Sequence, residues 1–218
     1  SDIAASASAD NAGTLALASN FGATATGAAD ATDLTTIYGQ TSATINATGV
    51  TGINGSAANV HTVIDHAQVN HDTNFTVSIS GTSAAAADLK AIDAITSGII
   101  TATGVETITG SLSDVGDVVD VDTNKGNAGQ QIDIDTDFNV TLSDTGTMSA
   151  SALNTLNGKV PGTVTVTNVV TLTGAASDIA ASASADNAGT LALATNFGAT
   201  VSAGTVSASD LNTISSRT

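Results

Sequence analysis

The sequence predicts an α/β repeat array: solenoid-like, elongated, with short strands alternating with short helices. Three observations carry that expectation. Residues 1–24 return at 177–200 with one change, Ser19 against Thr195. All four phenylalanines sit in one motif, at Ser19-Asn20-Phe21, Thr73-Asn74-Phe75, Thr136-Asp137-Phe138 and Thr195-Asn196-Phe197. Two further motifs keep the same order around them. Self-similarity of this kind marks arrays in which each unit buries its apolar face on its neighbours.

The motifs divide the chain into four repeats: 1–49, truncated at its N-terminal side, 50–104, 105–168, and 169–218, truncated at its C-terminal side. After each Phe comes Asp33-Leu34-x-x-Ile37, Asp88-Leu89-x-x-Ile92, Ala152-Leu153-x-x-Leu156 or Asp210-Leu211-x-x-Ile214. A Thr/Val-rich segment closes each full unit, at 44–50, 100–105 and 164–169.

Repeat 105–168 shows the expected elements in order. Val105 to Gly110 alternates apolar and polar residues, the period of a half-buried strand. Ser111-Leu112-Ser113-Asp114 opens a helix with a capping box in which Asp replaces Glu. Val115, Val118 and Val119 continue it at helical spacing. Asn124 to Gly129 reads as a loop. Ile132 to Asp135 alternates, and Phe138 to Ser143 reads as a second strand. Ser149 caps a short helix bearing Leu153 and Leu156, and Gly158 with Pro161 ends it. Thr163 to Thr167 is a strand again. Asp30 and Ser207 occupy the capping position of Ser149, where Ala85 breaks the pattern. Asn59, Asp114, Asp178 and Asp2 match in the other helix, each followed by Ile or Val. Each repeat is thus expected to hold two helices and about three strands, held by packing because helices this short are marginal alone. The phenylalanines are the expected core plugs.

Charge and composition narrow the function. Twenty acidic residues against four basic ones give a net charge of −16, and every acid but Glu106 is aspartate. Nucleic-acid binding needs the opposite charge, and anionic lipid surfaces repel this one. The chain has no cysteine, which removes disulfides, iron–sulfur clusters and thiol catalysis. No signal peptide is visible at residues 1–20, and no stretch is apolar enough to span a bilayer. The chain starts at Ser1, as a processed product or a section of something longer would.

No catalytic, cofactor-binding or metal residues are assigned, and no enzyme is expected. His61, His66 and His71, with Asp65 and Asp72, fall in one repeat. Five-residue spacing puts successive histidines on different helix faces, so a polar solvated loop is expected there. If calcium binds, the runs Asp114-Asp117-Asp120-Asp122 and Asp133-Asp135-Asp137 would hold it, though neither the EF-hand pattern nor a glycine-rich nonapeptide is present. Thr163-x-Thr165-x-Thr167 and Thr171-x-Thr173 form the ladders that ice-binding surfaces use. Returning once per 54 to 64 residues, such ranks are expected to be broken. Asn46-Ala-Thr48, Asn54-Gly-Ser56, Asn74-Phe-Thr76 and Asn139-Val-Thr141 are glycosylation sequons.

The phrases Ser207-Ala-Ser-Asp-Leu-Asn-Thr-Ile214 and Ile100-Thr-Ala-Thr-Gly-Val-Glu-Thr-Ile-Thr-Gly110 resemble repeats of very large secreted or cell-surface proteins of cyanobacteria and other aquatic bacteria. That resemblance implies an extracellular, adhesin-like or fibre-forming setting. Both ends of the array read as open, and open edges pair with other chains. Copies joining head to tail into an extracellular filament are therefore the first expectation. The second is a stalk or binding segment of a large surface adhesin that recognises glycan or a surface. Its weakness is that Tyr38, the one tyrosine, does not recur.

Overall fold

The computed structural model describes residues 2–123 and 131–218, Thr123 by its backbone alone. In chain order the elements are α1 (Asp2–Asn11), β1 (Ala23–Asp30), α2 (Ala31–Tyr38), β2 (Ile45–Gly55), α3 (Ala57–Ile64), β3 (Val69–His71), β4 (Thr76–Ile79), β5 (Ser83–Ala85), α4 (Ala86–Ile95), β6 (Ile100–Ala102), β7 (Thr107–Gly110) and α5 (Leu112–Thr123). Then come β8 (Ile132–Ile134), β9 (Asn139–Leu142), β10 (Gly146–Ser149), α6 (Ala150–Asn157), β11 (Val164–Val166), β12 (Val169–Gly174), α7 (Ala176–Ala188), β13 (Leu191–Leu193), β14 (Gly198–Val201) and α8 (Ala208–Ser215). The chain is an α/β protein with parallel sheets. The loop expected at 124–129 lies outside the described residues.

The chain divides into two compact units, Ser1–Val105 with Val121–Ile134, and Glu106–Asp120 with Asp135–Thr218. In the first, β1, β2, β4, β6 and β8 run side by side, and β3 pairs with the start of β2. In the second, β7, β9, β11 and β13 run side by side, as do β10, β12 and β14.

Every one of these pairs is parallel and joins successive passes of the chain. Ile53 faces Val77, 24 positions on, and Val77 faces Ile100, 23 positions on. In the second unit Val140 faces Val164, 24 positions on, and Leu172 faces Ala199, 27 positions on. Ile100 and Ile132 are 32 positions apart, as are Ile108 and Val140. The longer steps pass through the longer helices, α5 with 12 residues and α7 with 13. Strand pairing is kept and surplus residues leave the ladder. The step between partners is therefore about half the interval at which the Phe motif recurs, because each step carries one helix and the motif marks alternate helices.

Local chemistry explains the helix starts. Ser149 and Ser207 cap α6 and α8, accepting from Ala152 N (3.4 Å) and Asp210 N (3.0 Å). Ser56 does the same for α3, from Asn59 N (3.3 Å). At α5 the capping box forms with Asp: Asp114 N donates to Ser111 Oγ (3.1 Å), and Ser111 Oγ donates to Asp114 Oδ2 (2.8 Å). Asp30 precedes α2 without a side-chain cap bond, and Gly158 ends α6 in a right-handed conformation.

Repeat 105–168 holds five strands, β7 to β11, where about three are expected. The excess comes from segments such as β10, which runs straight into its helix. Gly146-Thr147-Met148-Ser149 has no apolar alternation long enough to register in sequence; its order comes from pairing with β12. Inward positions supply the core: Ile108, Val140, Val164 and Leu191 in adjacent strands, and Leu34, Leu89 and Leu153 on helices, are all buried. Phe75, Phe138 and Phe197 are buried as expected, and Phe21 is half-buried.

Candidate functional site

The histidines of repeat 50–104 neither converge nor form a solvated loop. His61, on α3, holds Asp88 Oδ1 of α4 from Nδ1 at 2.8 Å. His66 stacks on Tyr38 of α2, with ring centroids 3.9 Å apart, and its Nδ1 accepts from Gln68 N at 3.3 Å. His71 lies 2.7 Å from Asp72 O through Nδ1 and 2.8 Å from Ile64 O through Nε2, and meets Phe75 edge-on. Each ring ties one element to the next. Only His61 lies on a helix; His66 follows α3 and His71 ends β3, so helical spacing does not govern them, and tertiary neighbours half-bury all three.

Several aspartates accept from backbone N–H groups. Asp122 Oδ1 accepts from Ile134 N at 2.9 Å, Asp135 Oδ1 from Thr136 N at 2.6 Å, and Asp144 Oδ2 from Leu112 N at 2.7 Å. Asp120 pairs with Lys159 beside an open groove of about 480 Å³, lined also by Asp117, Leu112 and Leu156. Among the described residues no three His, Asp or Glu side chains come together as a metal site. Burial raises the pKa of the Asp93 carboxyl on α4 above 3.8.

The threonine ladders differ from expectation. Partners lie one strand step apart, so Thr109, Thr141 and Thr165 are neighbours across β7, β9 and β11, at about 4.8 Å per strand. The rank then ends, because Ala192 follows Thr165 on β13. The flanking rank is interrupted by Asn139, opposite Thr107. The Thr163 hydroxyl is also committed, Oγ1 donating to Gly189 O at 3.1 Å, while Thr163 N donates to Asn139 Oδ1 at 2.9 Å. The asparagines of all four sequons, 46, 54, 74 and 139, are exposed.

Two apolar faces stand out. Ile3 is 39% exposed and Leu15 41%, whereas their sequence counterparts Ile179 and Leu191 are 0% and 1% exposed. Leu191-Ala192-Leu193 is strand β13, paired with β11; the identical Leu15-Ala16-Leu17 forms no strand. Beside it lies a shallow groove of about 280 Å³ bounded by Asp2, Ile3, Ser6, Leu17 and Phe21. A second groove, about 440 Å³, runs from Ile3 along β1 to Leu34 and Ile37. In the other unit Leu211 of α8 is 50% exposed, whereas its counterpart Leu153 of α6 is fully buried. Sequence reasoning placed openness at the two termini but did not single out these side chains. Comparison of the exposed and covered copies identifies them.

No family model, no curated protein and no solved structure matches the chain. No helix among the described residues is long and apolar enough to cross a membrane.

Proposed function

We propose that this chain is a structural repeat protein, a subunit or segment of an extracellular filament assembled head to tail from a solenoid-like, elongated α/β array. One observation carries the reading. Near-identical sequences adopt helix α1 and helix α7; α7 packs on α6 on one side and α8 on the other, while α1 packs on α2 and leaves Ile3 exposed. A module made to be covered on both sides is a stacking module. The parallel, successive strand pairing supports the same reading, since each pass offers an edge to the next.

The sites available for chemistry point the same way. Histidine side chains serve as ties between elements, and the groove bounded by Ile3, Leu17 and Phe21 is mostly apolar. The adhesin reading ranks second: the Tyr38 ring, the natural platform for a sugar, is occupied by His66.

Negative-stain electron microscopy over a concentration series is the test. Fibres one chain wide are expected, forming more readily as salt screens the net charge of −16. Monodisperse single particles at high concentration and high salt would overturn the proposal.

A further inference from the structure

We infer that α8 of one copy of this chain docks on α1 of a second copy, with the α6–α7 contact as the internal template for the joint. The inference rests on the filament reading and specifies its junction. The two sides of the template are both present on the exposed faces. Residues 2–18 repeat 178–194 without a change. Residues 204–214, Gly-Thr-Val-Ser-Ala-Ser-Asp-Leu-Asn-Thr-Ile, repeat 146–156, Gly-Thr-Met-Ser-Ala-Ser-Ala-Leu-Asn-Thr-Leu, with three changes. One face therefore matches what α7 offers to α6, and the other matches what α6 offers to α7.

The template is specific at atomic level. Asn154 of α6 donates through Nδ2 to Asp178 O of α7 at 2.8 Å and accepts through Oδ1 from Ser182 Oγ at 2.7 Å. Ser182 is fully buried by this contact, and its hydroxyl also lies 3.2 Å from Asp178 O. The counterparts are Asn212 on α8, exposed, and Asp2 and Ser6 on α1. Ser6 Oγ already lies 3.1 Å from Asp2 O, the geometry that Ser182 has inside the joint. Leu153 and Ile179 are buried in the template; Leu211 and Ile3 are their exposed counterparts. In the joint, Asn212 would span Asp2 O and Ser6 Oγ of the second copy, with Leu211 and Ile3 covered around it.

The part of the template that the two exposed faces repeat is the helix contact with its asparagine clamp. Acidic copies need salt to approach.

The absence of cysteine makes the test direct. Asn157 of α6 lies 3.4 Å from Thr190, just past α7, so their exposed counterparts Ser215 and Thr14, outside the clamp, are changed together, Ser215→Cys and Thr14→Cys, and treated with a short bis-maleimide at rising protein concentration in 0.5 M salt. A ladder of covalent oligomers is expected, absent from either single variant and lost when Leu211→Asp is added. Circular dichroism of the Leu211→Asp chain should be unchanged, since that side chain is exposed. The pair Asn157→Cys and Thr190→Cys, which cross-links within one chain, calibrates the reagent. No ladder while this internal pair reacts overturns the inference. If fibres still appear by microscopy without the ladder, the joint is wrong and the filament reading survives. If the ladder forms but only short closed species are imaged, the joint stands and the filament reading falls.

Discussion

Asp93 shows how a single side chain sets a pH dependence. It lies half-buried on α4, and desolvation raises its carboxyl above the usual 3.8. The folded chain therefore keeps this proton to higher pH than the unfolded chain does. Below 3.8 both states are protonated and the group costs nothing. As pH rises from 3.8 through the raised value, the folded state holds more protons than the unfolded one, so stability falls. Above that window the loss is constant. Asp93→Asn should flatten this part of the curve: urea midpoints measured between pH 3.5 and 7 should decline less in the variant than in the parent chain. An equal decline in both would show that burial of Asp93 does not matter. Residue-level roles were only partly legible. Ser149, Ser207 and the buried Phe75, Phe138 and Phe197 follow from cap chemistry and size. His61 and His66 do not, because Asp88 and Tyr38 belong to other helices far off in sequence; His71 does not, because its bond to Ile64 depends on how the chain turns back onto the end of α3.

Elements depend on their neighbours in a way that the duplicated segment isolates. Leu191-Ala192-Leu193 is a strand because β11 lies alongside; Leu15-Ala16-Leu17 has the same letters and no strand beside it. Both copies keep the same local bond, Asp10 Oδ1 to Leu17 N at 2.8 Å and Asp186 Oδ1 to Leu193 N at 3.0 Å, so local chemistry does not separate them. Packing does. Leu191→Ala should lower stability by about 2–5 kcal/mol, the range for a buried leucine, whereas Leu15→Ala should cost well under half as much. Equal effects in chemical denaturation would sink this account. The same dependence explains a missed strand. β10, Gly-Thr-Met-Ser, is four residues long, and nothing in it registers until β12 supplies the ladder.

At the scale of the molecule, stability in stacked passes is shared between neighbours. Phe138, just before β9, is buried, and Phe138→Ala removes one of the two buried phenylalanines of the second unit. We expect a loss of about 3–5 kcal/mol, with hydrogen exchange accelerated in β7 and β11 as well as in β9, because both flank β9 in the ladder. Faster exchange confined to β9 would mean that passes unfold independently. The net charge of −16 acts across the whole chain, opposing close approach of copies and making assembly depend on ionic strength.

Read alone, the sequence determined the α/β class, the positions of most helices and their caps, the buried phenylalanines and the recurrence of one module. Those features are written in local spacing and side-chain chemistry, which the chain carries wherever it goes. The tertiary structure decided the length of the pairing step, the short strands, the separate fates of the three histidines and the difference between two copies of the same leucines. These turn on which segment lies alongside, and two identical stretches of sequence cannot encode different neighbours.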